Sequence, residues 1–372
     1  MKFRFPLLTL IAVFGLSFTI RIAVGQNRIA VGSPGRFDIA GGVFGEVFAT
    51  GRFTITGSPN PNVKFKVDRV VSGFNVPVNF LIVTPSSGTT PATIRVGPNP
   101  NVTRNMCPGG YLANVFFTTV DQTPPVTVGA IVGLTLRAPP PPTIGVVVNT
   151  ASLQPSVSPS AMVSIYGDSL GPPVLSAEYN GEGLYPTTFG NTTVTFNGVA
   201  APLLHMSPSR IDAVAPYAIA GQKTAQVAVS RYGQTSPAFE IPVADTSPAI
   251  FAGPGDILNY QFPNYSPNSA DNPAAPGSVI VLFATGAGVF DDTVPETSIS
   301  LIACPFQARP VSLTIGGLPA TIYYAGAAPY QTIGKLQVNV IVPQGVASGP
   351  QPVVLTIGQA NNEQQQVTVA IK

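Results

Sequence analysis

Along much of the chain, apolar and polar residues alternate one by one. Val63, Phe65 and Val67 are interleaved with Lys64, Lys66 and Asp68, and Val311, Leu313 and Ile315 with Ser312 and Thr314. A period of two places one row of side chains on a buried face and the next on a wet one, so each run predicts a half-buried strand. The same pattern marks Phe53 and Ile55, Val194 and Phe196, the run Leu336, Val338, Val340, the run Val353, Leu355, Ile357, and the run Val367, Val369, Ile371. Clusters of Gly, Pro, Asn and Ser separate the runs, as in antiparallel sandwiches. No segment of a dozen residues has the periodicity of an amphipathic helix. The outward positions are Thr, Ser, Gln and Asn more often than charges, which suits strands but leaves sheet edges weakly guarded.

The pattern breaks at Pro139-Pro140-Pro141-Pro142, an extended spacer of roughly 12 Å that cannot enter a sheet interior. Residues 26–138 therefore form one block and 139–143 a linker, after which the chain repeats itself. Residues 158–165 (Ser-Pro-Ser-Ala-Met-Val-Ser-Ile) match 275–282 (Ala-Pro-Gly-Ser-Val-Ile-Val-Leu), residues 195–201 match 314–320, and residues 211–216 match 338–343. The offsets are 117, 119 and 127 residues, so the drift lies in loops and the repeated unit is one sandwich. With the join near Pro248, the repeats are 144–245 and 246–372. The expected fold class is all-β, with three serial immunoglobulin-like β-sandwich domains after a signal peptide.

That leader is residues 1–25: Lys2 and Arg4, an uncharged stretch from Leu7 to Ile20, then the small residues Ala23-Val24-Gly25. Fourteen residues fall short of the roughly 20 that span a bilayer, and Arg21 closes the run. Cleavage is expected before Gln26 or, because Arg-Ile-Ala-Val-Gly recurs at 28–32, one repeat later. No integral membrane segment then remains, and the expected location is secreted or extracytoplasmic.

Composition narrows the chemistry. The precursor carries a formal charge of +2; removal of Lys2, Arg4 and Arg21 leaves fifteen bases against sixteen acids, about −1. Nucleic acid is not an expected partner, because phosphate neutralisation needs clustered Lys and Arg. Charged residues are only 9% of the chain, against about 25% in an average globular protein. One His and two Cys are too few for most zinc, haem or iron–sulfur sites. No cofactor is expected.

Over residues 144–372, Val147-Val148-Asn149-Thr150-Ala151-Ser152, Val163 to Gly167, Asn197 to Leu204, Asn272 to Gly277, Ala284 to Gly288, Ile315 to Ala320 and Gln337 to Val340 resemble, in order and spacing, the landmarks of the Solibacter-type C-terminal domain of secreted acidobacterial proteins. Each half is also similar to an IPT/TIG immunoglobulin-like domain. The resemblance implies a tandem β-sandwich tail at the cell exterior and no catalytic residues; Cys304 is a departure from that pattern. Phe80 to Ile94, with Gly110-Tyr111 later, resembles a BACON-type β-sandwich, which implies a group proposed to bind carbohydrate.

His205 in Leu203-Leu204-His205-Met206 has no Gly-x-Ser-x-Gly elbow to serve and is expected to be a structural or surface histidine. Gly286-Ala287-Gly288 lacks a following helix and reads as a strand-end turn rather than a phosphate loop. Asp291, Asp292 and Glu296 read as solvated acids, since calcium takes six to eight oxygens. Cys107 and Cys304 permit a single bridge, which would staple the first block to the third, or else are idle thiols.

Tyr260, Phe262, Asn264 and Tyr265, in a predicted loop, are the candidate ligand contacts, with Tyr323 and Tyr330 flanking a turn of the same domain. Rings beside amides suit stacking on sugar faces or packing against a partner protein. The alternative is plain packing: on a regular strand Tyr323 and Tyr324 face opposite sides, which would bury at least one. The expected function is a secreted, non-catalytic structural or adhesive protein of the cell exterior. The alternatives are a carbohydrate-binding module or an acid-only glycan-processing enzyme. An extracellular polysaccharide or another surface protein is the expected partner, with oligomeric state open.

Overall fold

The structure is a computed structural model describing residues 28–32, 36–42, 50–103, 106–172, 175–261, 263–289, 295–300 and 309–372. The leader at 1–25, Phe262, Asp291, Asp292 and Cys304 lie outside the described residues. The fold is all-β: among the described residues the helical pieces are Pro100–Thr103 and single turns at Tyr217–Ile219 and Glu363–Gln365. The chain divides into two compact units, whose described residues are 28–32, 36–39, 50–98 and 112–134 in one and 40–42, 99–103, 106–111, 135–172, 175–261, 263–289, 295–300 and 309–372 in the other.

The first unit carries two antiparallel sheets. One runs Arg28–Val31, Gly51–Ser58, Ala92–Pro98, Leu81–Thr84; the other runs Arg36–Gly42, Thr127–Arg137, Gly109–Thr119, Lys64–Ser72, Ser87–Thr89. The alternation in these strands resolves as expected, with Phe53 and Ile55 from one sheet and Phe65, Val115 and Phe117 from the other buried. Phe117 meets Phe53 edge-on at 5.6 Å and Phe65 at 6.0 Å, the T-shaped arrangement that ring quadrupoles favour. The stretch Phe80 to Ile94 is not a plain hairpin. Leu81–Thr84 and Ala92–Pro98 pair in one sheet, while Ser87–Thr89 between them pairs with Lys64–Ser72 in the other.

The second unit holds the two repeats, each a two-sheet sandwich. In the first repeat one sheet runs Thr143–Asn149, Met162–Asp168, Arg210–Val214, Leu203–Met206, Leu175–Ser176, and the other is built on Thr192–Phe196 and Thr224–Arg231. In the second, one sheet runs Asn264–Pro267, Ile257–Gln261, Val279–Thr285, Leu336–Ile341, Thr321–Ala327, and the other is built on Val311–Ile315 and Gly349–Ile357. The sequence correspondences map onto equivalent strands: Met162 and Val279 each open a central strand, and Ile211 and Val338 lie on its neighbour. Each repeat has its own core, Val163, Ile165, Phe196, Ile211 and Val227 in one and Ile280, Leu282, Leu313, Val340 and Leu355 in the other. Complete burial of such a side chain is worth about 1.5–3 kcal/mol, so each sandwich has a sizeable hydrophobic stabilisation of its own.

The repeats are nonetheless locked together by a polar seam. Thr285, fully buried, accepts a hydrogen bond from the Met162 N–H across the seam and donates to the Gly334 carbonyl, both at 2.8 Å. Ser160 Oγ donates to the Gly288 carbonyl at 2.7 Å, and Asn149 Nδ2 to the Ser247 carbonyl at 3.0 Å. Gln365 Nε2 reaches the carbonyl of Ala151 at 3.0 Å and that of Ile250, while its oxygen accepts from the Ile250 N–H. A short antiparallel bridge adds Tyr185 N–H to Thr297 and Ile299 N–H to Gly183. Tyr217 of the first repeat packs against the core of the second.

Candidate functional site

The candidate tyrosines are placed by the edge of the second repeat's six-stranded sheet, to which Ala249–Ile250 also pairs. Ile257–Gln261 and Asn264–Pro267 form a hairpin, not the expected loop, and Tyr260 pairs directly with Tyr265, as Gln261 does with Asn264. Directly opposed residues share a face, so the rings stack at 4.9 Å with a 35° tilt. Tyr265 is 56% exposed, whereas Tyr260 is half-buried and backs it. Asn264 is exposed at the start of the edge strand.

Cross-strand register assigns the rest of that face. Ile257, Ile280, Leu282, Val338 and Val340 point into the core. The residues between them point outward in rows: Tyr265, Tyr260, Val279, Ile341, Thr321; then Pro267, Leu258, Val281, Asn339, Tyr324; then Phe283, Gln337, Gly326. Asn339 and Gln337 form the polar centre, Gln337 Nε2 donating to Asn339 Oδ1 at 3.0 Å. Each amide has two donors and an acceptor, so this bond leaves most of their capacity facing outward. At one end Lys335 Nζ lies over the rings of Phe283 at 4.7 Å and Phe251 at 5.4 Å and 3.5 Å from Asp256 Oδ1. That cation is neutralised where it stands.

Tyr323 and Tyr330 are not joined to the Tyr260–Tyr265 pair. Tyr323 is on the strand at the opposite edge of the sheet, four strand spacings of about 4.8 Å, roughly 19 Å, from the strand of Tyr265, and Tyr330 is in the turn that follows Thr321–Ala327. Tyr323 is 76% exposed and Tyr330 68%. The expectation that Tyr323 or Tyr324 is a core residue fails, because register shifts between Ile322 and Tyr324. Ile322 packs on the core, Tyr323 is the extra residue of a bulge, and Tyr324 lies half-buried on the outer face with its hydroxyl donating to Ala327. Phe283, Phe251 and Lys335 were not singled out in the sequence, Gln337 and Asn339 were noted there only within a resemblance, and Tyr324 only as a packing residue. Their signal was the uncharged alternation of Leu336–Ile341, whose partners across the sheet only register identifies.

His205 lies on the outer face of the first repeat's sheet, opposite Asp212. Asp212 Oδ1 accepts from Ser164 Oγ and from Arg210 Nε, both at 2.7 Å, and its other oxygen lies 3.9 Å from His205 Nδ1. The carboxylate stands between hydroxyl and imidazole, whereas a nucleophilic triad needs the imidazole in the middle. Burial lowers the Arg210 pKa, but the hydrogen bond and charge of Asp212, with Tyr166 beside it, outweigh this and raise it. The cluster is an ion-paired network that holds three strands together.

Gly286-Ala287-Gly288 is a strand-end turn. Gly286 has φ +86°, and a Cβ there would overlap the Ser247 carbonyl oxygen, so the glycine lets the linker between repeats cross at backbone distance. Glu296 is half-buried; among the described residues no three His, Cys, Asp or Glu gather as a metal site. Cys107 is exposed, and the question of a bridge to Cys304 falls outside the described residues.

No family model matches the chain, and no curated protein matches it. Among solved structures, the chain is similar to the Bacteroides ovatus mixed-linkage glucan utilization locus protein SGBP-B in complex with a mixed-linkage heptasaccharide, at 12% identity over 87% of this chain, with a TM-score of 0.28. It spans 64% of that protein's length. It is also similar to protocadherin gamma B7 extracellular cadherin domains 1–4, at 12% identity, TM-score 0.21, covering 91% of this chain and 75% of that one. The ICAM-5 D1–D4 ectodomain fragment gives 11% identity, TM-score 0.20, and coverage of 94% and 77%. Likenesses of this size concern architecture alone, the all-β sandwich arrangement that the strand pairing above describes.

Proposed function

We propose that this protein is a non-catalytic structural or adhesive module of the cell exterior, in which the two C-terminal sandwiches act as one stiff block. The observation that carries the reading is the seam. Thr285, Ser160, Asn149 and Gln365 each spend side-chain hydrogen bonds on backbone groups of the other repeat or of the strands beside it, which fixes two sandwiches against hinge motion. Uncharged outward faces and a net charge near zero after leader removal fit a spacer or adhesive part better than an enzyme that steers charged substrates. The leader pattern at residues 1–25 supports the compartment.

The test is protease shaving of intact cells producing the protein, with N-terminal sequencing of the mature form. Export predicts a new N-terminus at Gln26 or at Ser33, fragments released from outside, and a resistant fragment that keeps both C-terminal sandwiches together. Recovery in the cytoplasm with residues 1–25 intact, or ready cleavage between the two repeats, would overturn the reading.

A further inference from the structure

The outer face of the second repeat's six-stranded sheet has a composition that the stiff-block role does not require. We infer that it is a binding platform for a neutral polysaccharide chain, with Tyr265 as the stacking ring and Asn339 and Gln337 as the hydroxyl-binding amides. The inference stands on different residues from the seam and does not depend on it.

Three features define the occupant. The first is charge: the charged side chains that register and contacts place on this face, Lys335 and Asp256, lie 3.5 Å apart and satisfy each other. A polyanion such as nucleic acid or an acidic glycan would find no unpaired cation there, and would have to break the Lys335 pair to gain one. The second is the alternation of flat and amide groups across the strands. Tyr265 and Tyr260 stand at one edge, the amide of Asn339 stands in the middle beside the buried Val281, and Tyr324 stands at the far edge. Tyr260 to Tyr324 spans three strand spacings, about 14 Å, long enough for several linked sugar rings to lie across the strands. The apolar faces of sugars stack on rings while their hydroxyls both donate and accept, which matches planar amides better than carboxylates or ammonium groups.

The third feature is preorganisation. Tyr265 is 56% exposed yet backed by the Tyr260 ring at 4.9 Å, so it presents its outer ring face without first having to be ordered. Asn339 and Gln337 are tied to each other on a central strand whose alternate residues are core. Tyr260 is thus a positioning residue, and Tyr265, Asn339 and Gln337 are the contacts. A protein partner would bury Val279, Leu258 and Ile341 of the same face, and that occupant is an outcome of the test.

The experiment is affinity electrophoresis and calorimetry of the mature full-length chain with soluble β-glucan, galactomannan and xylan as neutral probes and polygalacturonate as the charged one. At least one neutral polymer should retain the protein, with little dependence on salt, and polygalacturonate should not. Tyr265→Ala should weaken retention about tenfold or more with the melting temperature unchanged, and Asn339→Ala with Gln337→Ala should do the same. Tyr330→Ala, which removes a ring of similar exposure in the turn between Thr321–Ala327 and Leu336–Ile341, should leave retention intact. Failure to retain any neutral polymer, retention of polygalacturonate alone, or equal loss with Tyr330→Ala would overturn the inference. So would sedimentation showing a dimer that Tyr265→Arg converts to monomers, since a second copy would then be the occupant.

Discussion

At the scale of single residues, the most consequential side chains are small polar ones at the seam. Thr285 has a hydroxyl that serves two backbone groups on opposite sides of the junction, and it is fully buried. Thr285→Val keeps the shape and removes the oxygen, stranding the Met162 N–H and the Gly334 carbonyl. An unsatisfied buried group costs about 1–3 kcal/mol, so the substitution should destabilise the C-terminal block by about 2–4 kcal/mol in urea unfolding. Thr285→Ser restores the hydroxyl and should cost only about 1 kcal/mol, the value of one buried methyl. A Val variant as stable as the Ser variant would mean that the hydroxyl contributes nothing to the junction. Asn149 illustrates what the sequence could and could not convey. Its place in Val147 to Ser152 carried a resemblance in the sequence, but its work is local geometry: its oxygen accepts from Ala151 and Ser152 while its nitrogen reaches Ser247. No linear pattern announces a contact 98 residues away.

At the scale of strands and turns, legibility followed the inward row. Where that row was apolar, as in Val311–Ile315 and Leu336–Ile341, alternation marked the strands. Ile257–Gln261 escaped because its inward row includes Asn259, a buried amide held by the Asn272 carbonyl at 2.7 Å and the Asn268 amide at 2.9 Å. A satisfied amide is tolerated in a core, but it interrupts the apolar count on which a period-two reading depends. The bulge at Tyr323 defeated the same logic in the other direction, since one extra residue flips every later side chain. Turn chemistry is clearer. Asn197 and Gly198, at φ +49° and +85°, join Phe196 to Val199 in a two-residue hairpin. A Cβ at Gly198 has open space around it, so Gly198→Val tests backbone strain without a clash. It should lower stability by about 1–2 kcal/mol in chemical unfolding, and an unchanged midpoint would show that the turn can relax.

For the whole molecule, two cores and one seam predict a particular unfolding behaviour. Each repeat buries its own apolar cluster and could melt alone, yet the seam couples them. Calorimetry of the chain should therefore show the two repeats unfolding in one transition, and Thr285→Val should split or broaden it; two transitions in the unsubstituted protein would remove the case for a stiff block. The amino-acid sequence by itself determined the all-β class, the tandem repeat and the uncharged character of the faces. These are properties of local spacing and composition, repeated often enough along the chain to be read without knowing any partner. Tertiary structure alone decided that the repeats close on each other through Thr285 and Gln365, that Tyr260 stacks on Tyr265 while Tyr323 stands across the sheet, and that Asn339 and Gln337 share the tyrosine face. The reason is physical: register and domain docking are set by hydrogen bonds and packing between residues remote in sequence, and a shift of a single residue in one strand would assemble a different face from the same side chains.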